Sequence, residues 1–202
     1  MRGKGKTNYV KGHLFDDNIS PCYIVDIRNE FKHIPAFTDV TSFYYWLCKN
    51  DTKLLRMPSD MSYCKPGQYR FTFNSTREYS RLYEMLKHLR NSTLVIDEAD
   101  AIFTSRQFEK PIIDIFLGSR NNNVSMLFLG KRPSLIPIIV RSQADTYRIF
   151  CVEEEWDIKY LEKRVKQSFP KDVYKLERGE AIVFRSGEKP VVEVYPKFIG
   201  EL

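Results

Sequence analysis

The sequence predicts an α/β fold with a mainly parallel sheet, on three observations. Short β-branched or aromatic runs alternate with stretches of helical spacing, the pattern that places helices on the faces of a parallel sheet. Five of those runs are continuously apolar or nearly so, as strands covered on both faces are. Two more near the C-terminus flank a glycine-containing connection and read as a hairpin. The 202 residues fit one domain and leave no room for two full nucleotide-binding lobes, which argues against a two-lobed helicase.

In chain order, strands are expected at residues 23–27, 69–73, 93–97, 125–130 and 146–150, and the hairpin at 180–185 and 191–195 around Ser186-Gly187-Glu188-Lys189-Pro190. A helix is predicted over 76–89, where Tyr79, Leu82, Tyr83, Leu86 and Leu89 recur at 3-4 spacing behind Asn74-Ser75-Thr76, a group able to cap its start. A second is predicted over 154–167. Trp156, Tyr160, Leu161 and Val165 share one face there, and Lys159, Lys163, Arg164 and Lys166 form a face read as solvated. Residues 31–68 are the least legible, with helical apolar spacing only at 41–49.

Composition bounds the function. At 43% apolar, 14% aromatic and 29% charged residues the chain can bury a core, unlike a disordered segment. A net charge of +6 and a pI of about 9.0 suit a polyanionic partner such as nucleic acid, and equally suit ordinary solubility. Cys22, Cys48, Cys64 and Cys151 are too far apart for a metal knuckle and read as reduced and mostly buried. The basic N-terminus leads into no apolar core of signal-peptide length. The most apolar later stretch, 124–140, is broken by Lys131, Arg132 and two prolines, so no membrane span is expected.

Chemistry concentrates in two motifs. Gly3-Lys4-Gly5-Lys6-Thr7 runs into a predicted helix. A phosphate needs inward backbone N–H groups, a lysine, a hydroxyl for Mg²⁺ and a helix N-terminus behind them. Gly5-Lys6-Thr7 supplies the second half of G-x-x-x-x-G-K-[ST]; the first glycine of that pattern would stand one residue before Met1, and the strand leading into the loop is expected upstream of it. The second motif, Thr93-Leu94-Val95-Ile96-Asp97-Glu98-Ala99-Asp100, is an apolar strand ending in paired carboxylates. Asp97 is placed to hold Mg²⁺ and Glu98 to orient the attacking water. Residues 97–100 spell Asp-Glu-Ala-Asp, the box of a helicase class, but the following strand ends in Gly130-Lys131-Arg132-Pro133 rather than that class's Ser-Ala-Thr.

Together with Ser119-Arg120, the segment Phe128-Leu129-Gly130-Lys131-Arg132-Pro133 and Arg141-Ser142-Gln143-Ala144-Asp145, these motifs resemble the FtsK–HerA superfamily of P-loop motor ATPases, most closely the short genome-packaging ATPases of double-stranded DNA viruses and phages. The resemblance covers residues 3–11, 94–150 and Val25-Asp26-Ile27-Arg28-Asn29-Glu30-Phe31; residues 32–68 match nothing in it. It implies a RecA-like P-loop NTPase with a mainly parallel central sheet flanked by helices and a C-terminal β-hairpin, the first P-loop strand being absent from this sequence. It further implies ATP and Mg²⁺ as cofactors, double-stranded DNA as partner, a homo-oligomer of hexameric ring form, contacts with capsid-vertex or membrane proteins, and a setting in the host cytoplasm or the virion. Carried onto this sequence, Gly3, Gly5, Lys6 and Thr7 bind phosphate, Thr7 and Asp97 hold the metal, Glu98 is catalytic and Arg120 is an arginine finger acting in trans. An arginine suits that role by its fixed charge and fork of donors. Lys131 takes the place of a polar γ-phosphate sensor. There the sequence departs from the family, which commonly has Thr-Gln before Arg-Pro; a lysine donates hydrogen bonds but accepts none. Arg132 is either part of the site or a structural partner for a carboxylate. Two rival readings are a small-metabolite P-loop kinase and a non-hydrolysing or membrane-associated phage assembly protein of related fold.

Overall fold

The computed structural model describes residues 5–6, 9–10, 21–50, 68–73, 75–103, 106–165, 173–177, 179–185 and 188–195; the side chains at 47–50, 76, 106–109, 164–165 and 174 are outside that description. The chain divides into two compact units, residues 17–131 and residues 1–16 with 132–202.

The first unit carries a parallel sheet of five strands: β1 (Cys22–Val25), β2 (Ala36–Phe37), β3 (Gln68–Phe71), β4 (Ser92–Ile96) and β5 (Val124–Phe128), in the order β2-β3-β1-β4-β5. Tyr23, Ile24, Val25, Leu94, Val95 and Ile96 are fully buried, as the continuous apolar runs require of strands covered on both faces. Register puts Tyr23 beside Tyr69 and Val25 beside Phe71. On that face lies helix α1 (Val40–Asn50), whose Phe43 meets Phe71 edge-on at 4.8 Å and whose Trp46 meets Tyr69 at 5.1 Å. Ring pairs at these distances add roughly 0.5–1.5 kcal/mol each beyond burial.

Helix α2 (Thr76–Leu86) starts as expected: Ser75 caps it, accepting from the Arg77 amide at 3.2 Å. It ends three residues early, in a turn, although Leu89 is still buried. A short helix α3 (Ala99–Phe103) follows β4, and α4 (Arg106–Ser119) precedes β5. The sequence did not announce α4, because Pro111 interrupts its pattern; proline removes an intrahelical donor and usually ends a helix.

The second unit holds an antiparallel sheet, β6-β7-β8, of β6 (Thr146–Ile149), β7 (Glu180–Arg185) and β8 (Val191–Val194). The C-terminal hairpin is present. The strand at 146–149, expected among the doubly covered parallel strands, pairs antiparallel with β7 instead. Ile149, Leu161, Val173, Ile182 and Phe184 form this unit's core, with Leu161 supplied by α6 (Glu155–Val165); a shorter helix, α5 (Ile138–Gln143), precedes β6. The expected apolar face of α6 is corrected at Trp156, which is 79% exposed, while Asp157 is buried. Asp157 is turned inward by the Ser134 hydroxyl, which donates to it at 2.8 Å, and by Arg132, 3.6 Å away. Of the two readings of Arg132, the structural partner is the one observed. Cys22 is a buried thiol outside any disulfide, its pKa pushed up by burial to about 12, and Cys151 is half-buried. Among the described residues no helix is long and apolar enough to cross a membrane.

Candidate active site

From β1 the chain runs outward to β2, returns to β3 on one flank of β1, and then crosses to β4 on the other flank. The direction of winding therefore reverses between β1 and β4. In open α/β sheets the crevice at such a point, beyond the carboxyl ends of the strands, is where ligands sit. Here those ends are Asp26, after β1, and Asp97-Glu98, after β4.

Asp26 is fully buried and ends β1 two residues before the sequence predicts. Its carboxylate accepts from the amides of Glu30 at 2.9 Å and Phe31 at 3.0 Å, folding the chain into a turn. Arg70, on β3, donates to Asp26 at 3.1 Å and to the Asn29 side chain at 2.7 Å. This partnership explains an arginine inside a buried strand: a buried charge persists only where it is paired and hydrogen-bonded.

Asp97 and Glu98 are placed by the ladder itself. The Asp97 amide donates to Val25 O at 3.0 Å, and the Ala99 amide to Leu129 O at 2.7 Å, so the acidic pair lies between the ends of β1 and β5. Glu98 adopts φ +52°, a left-handed conformation that costs a residue with a Cβ roughly 1–2 kcal/mol, and strain of this kind gathers at functional sites. Its carbonyl then accepts from Ala101 and Ile102 at the start of α3.

The electrostatics of the pair are unequal. Asp97 is buried and its Oδ2 has no hydrogen-bond partner among the described residues. Burial pushes its pKa from the ordinary 3.8 up to about 7; the Glu98 amide opposes the rise, and Asp26, Glu98 and Glu30 reinforce it. Asp100 Oδ1, one turn on, is also buried without a partner. Glu98 is held by cations: Lys131 Nζ lies 2.8 Å from its Oε1, and Arg28 Nε lies 3.5 Å from the same oxygen.

Gly5 and Lys6 belong to the second unit. Gly5 has φ +125°, Lys6 is helical, and the Tyr9 amide donates to Gly5 O at 2.8 Å, so the predicted helix does begin behind the glycine. A Cβ on Gly5 would come within 3.1 Å of the Phe150 ring, a second reason for glycine there. Gly3 and Thr7 lie outside the described residues. Arg120 is exposed in the turn before β5, at the amino end of the sheet. A five-residue strand rises roughly 15 Å, so within one chain Arg120 stands far from Asp97 and Glu98.

With this geometry in view, the chain can be set beside known proteins. Residues 70–151, which run from β3 to just past β6, match the family of zonular occludens toxin (Zot). No curated protein matches the sequence. Among solved structures, the genome packaging NTPase B204 from Sulfolobus turreted icosahedral virus 2 in complex with AMPPCP superposes with a TM-score of 0.65 at 16% identity, over 96% of this chain and 94% of that one. The same protein in complex with ATP-gammaS gives 0.66 at 14% identity, over 96% and 93%. B204, the DNA-packaging ATPase from Sulfolobus turreted icosahedral virus, gives 0.64 at 18% identity, again over 96% and 93%. The chain has the fold of a viral genome-packaging NTPase.

Within that packaging-NTPase fold, sequence reasoning picked out Asp97, Glu98 and Lys131, and the structure brings these three together. It assigned no role to Asp26, Arg28 or Asp100. For Asp26 and Arg28 the available signal was the segment Asp26-Ile27-Arg28-Asn29 directly after an apolar strand; for Asp100, a third carboxylate within four residues.

Proposed function

We propose that this chain is a Mg²⁺-dependent ATPase that works in a homo-oligomeric ring, hexameric by resemblance, and drives double-stranded DNA into a viral capsid in the host cytoplasm or virion. The observation that carries the reading is Asp97: a buried carboxylate oxygen without a partner, at the switch point of a parallel sheet, next to a backbone-strained glutamate. Among the described residues no cluster of three or more His, Cys, Asp or Glu side chains could hold a metal. That fits Mg²⁺, which commonly takes one or two carboxylates and fills its remaining positions with water and substrate phosphate. Bound there, Mg²⁺ would supply charge neutralisation for the β- and γ-phosphate oxygens.

The chain's own residues divide the remaining work. Gly3, Gly5 and Lys6 would cradle phosphate, and Thr7 and Asp97 would hold the metal. Glu98 orients the attacking water and accepts its proton as the bond from the water oxygen to the γ-phosphorus forms and the bond to the bridging oxygen breaks, ADP leaving with that oxygen. Lys131 donates to the γ-phosphate. Arg120, remote from the acidic pair of its own chain, serves the site of a neighbouring subunit. The net charge of +6 provides phosphate contacts that track DNA without reading sequence. Capsid-vertex or membrane proteins would hold the ring in place.

The test is ATP hydrolysis by the full chain and by Glu98→Gln and Arg120→Ala, separately and mixed. Each variant alone should lose turnover, and the mixture should regain part of it, because a Glu98→Gln subunit can lend its Arg120 to an Arg120→Ala neighbour. Full activity in Glu98→Gln would overturn the proposal.

A further inference from the structure

The ion pairs around Glu98 carry a second conclusion, which rests on the ATPase reading of the same site. Two cations approach one carboxylate oxygen from opposite flanks of β4: Lys131 from the end of β5 at 2.8 Å and Arg28 from the end of β1 at 3.5 Å. Among the described residues neither cation pairs with another carboxylate. The Glu98 side chain is 11% exposed, whereas Arg28 and Lys131 are 55% and 49% exposed. The acid is enclosed while both cations keep donors turned to solvent.

Arg28 is also aimed. Its loop is fixed by Asp26, which accepts from the Glu30 and Phe31 amides, and by Arg70, which ties Asp26 to Asn29. Asn29 itself sits at φ +58°. A surface arginine needs none of this scaffolding.

An oxygen paired with Lys131 at 2.8 Å and with Arg28 at 3.5 Å is occupied by cations rather than by a water. We infer that Arg28 and Lys131 form a cradle for a phosphoryl group, that Glu98 occupies this cradle in the structure as its stand-in anion, and that Arg28 is thereby a positioning residue withholding Glu98 until a phosphoryl group displaces it. A phosphoryl dianion outcompetes a single carboxylate for the pair because it carries more charge and three strong acceptor oxygens, and because the arginine fork matches it. The exchange moves no proton and breaks no covalent bond. It transfers two ion pairs from Glu98 to the phosphoryl group and leaves Oε1 open to the attacking water. The phosphoryl group belongs either to a nucleotide or to a nucleic-acid backbone.

The experiment uses the whole chain, with glutamate side chains carbon-13 labelled and the Glu98 resonance assigned by its loss in Glu98→Gln. Adding pyrophosphate should move that resonance. In Arg28→Ala it should already stand displaced, with Arg28→Gln as a second variant and Arg28→Lys restoring the original position. A response to a short DNA duplex but not to pyrophosphate would assign the cradle to the nucleic-acid backbone. A resonance indifferent to both overturns the inference. In hydrolysis, Arg28→Ala should show kcat without DNA raised about threefold and KM for ATP raised about fivefold, a split that loss of structure does not produce. An unchanged kcat and KM, or a fall in kcat alone, counts against the cradle. If the wild-type chain turns over no ATP yet pyrophosphate still moves Glu98, the ATPase reading fails and the cradle stands. If hydrolysis depends on Glu98 but Arg28→Ala behaves as wild type, the cradle fails and the ATPase reading stands.

Discussion

The two ends of the parallel sheet are built to opposite rules. At the amino end, the turns before β4 and β5 are knit together: Arg90 donates to Asn122 at 2.8 Å, Asn123 to Asn91 at 3.0 Å, and the Asn91 and Ser92 amides to the Asn122 and Asn123 carbonyls. Asn91 and Asn123 also take the positive φ values, as asparagine tolerates better than most residues. At the carboxyl end a glutamate joins Asn29 in taking a positive φ, and two buried carboxylate oxygens, on Asp97 and Asp100, have no partner among the described residues. Native structures leave few such groups unpaired, so each one calls for a reason. The amino end leaves a neutral hydroxyl, Ser92 Oγ, without a hydrogen-bond partner among the described residues, where the carboxyl end leaves oxygens of ionisable carboxyl groups. The carboxyl end sacrifices stability where charge is to be handled.

This contrast can be broken or sharpened by substitution. The largest effect belongs to Glu98→Gln, expected to lower ATP turnover about a thousandfold while nucleotide binding survives, as for a group that acts on the attacking water; steady-state hydrolysis and a binding titration would show it. Next is Arg70→Ala, which strands Asp26 in the interior and should cost about 3–5 kcal/mol in urea unfolding. A loss below about 1 kcal/mol would mean that the Asp26 turn does not depend on Arg70.

Asp97→Asn should act in the opposite direction. In the folded chain the Asp97 carboxyl keeps its proton up to about pH 7, against an ordinary value of 3.8. Its contribution to stability is therefore complete below about pH 4 and is lost as pH rises through 7. With chelator present, the wild-type melting temperature should fall between pH 5 and pH 8 relative to Asp97→Asn. The asparagine variant should be on the order of 2–4 kcal/mol more stable at pH 8. Equal pH profiles would show that Asp97 ionises normally. The smallest effect is at the amino end, where Asn123→Ala should cost about 1 kcal/mol through its lost hydrogen bond and its positive φ. ATP turnover should not change.

How far the sequence revealed these two ends follows from the range of the interactions involved. Strands β1 and β4 were legible because burial on both faces writes itself as an apolar run, whereas β5 showed an apolar run although, at the sheet edge, most of its residues are only half-buried. The paired acids after β4 were legible because their chemistry is local. Asp26, by contrast, stops β1 through a bond to Arg70, 44 positions away, and no window of sequence contains both. Trp156 left its expected place for a similar reason: the residues that turn the neighbouring Asp157 inward, Arg132 and Ser134, lie on a distant loop. Helix α4 was hidden by Pro111, and β2 is only two residues long, too short for periodicity to register. The pairing of β6 with β7 was missed because an apolar run shows that a strand is buried but not which neighbour it has.

The claim at the centre of this account is that Asp97 keeps one buried carboxylate oxygen without a partner, and is hard to ionise, because a magnesium-bound triphosphate completes it. Calorimetric titration of ATP into the chain at pH 8, with and without Mg²⁺, tests this most directly when wild type and Asp97→Asn are compared. The account predicts that Mg²⁺ tightens binding in the wild type and that Asp97→Asn loses that gain, an affinity about 10- to 100-fold lower. Equal Mg²⁺-dependent affinity in both proteins would contradict it.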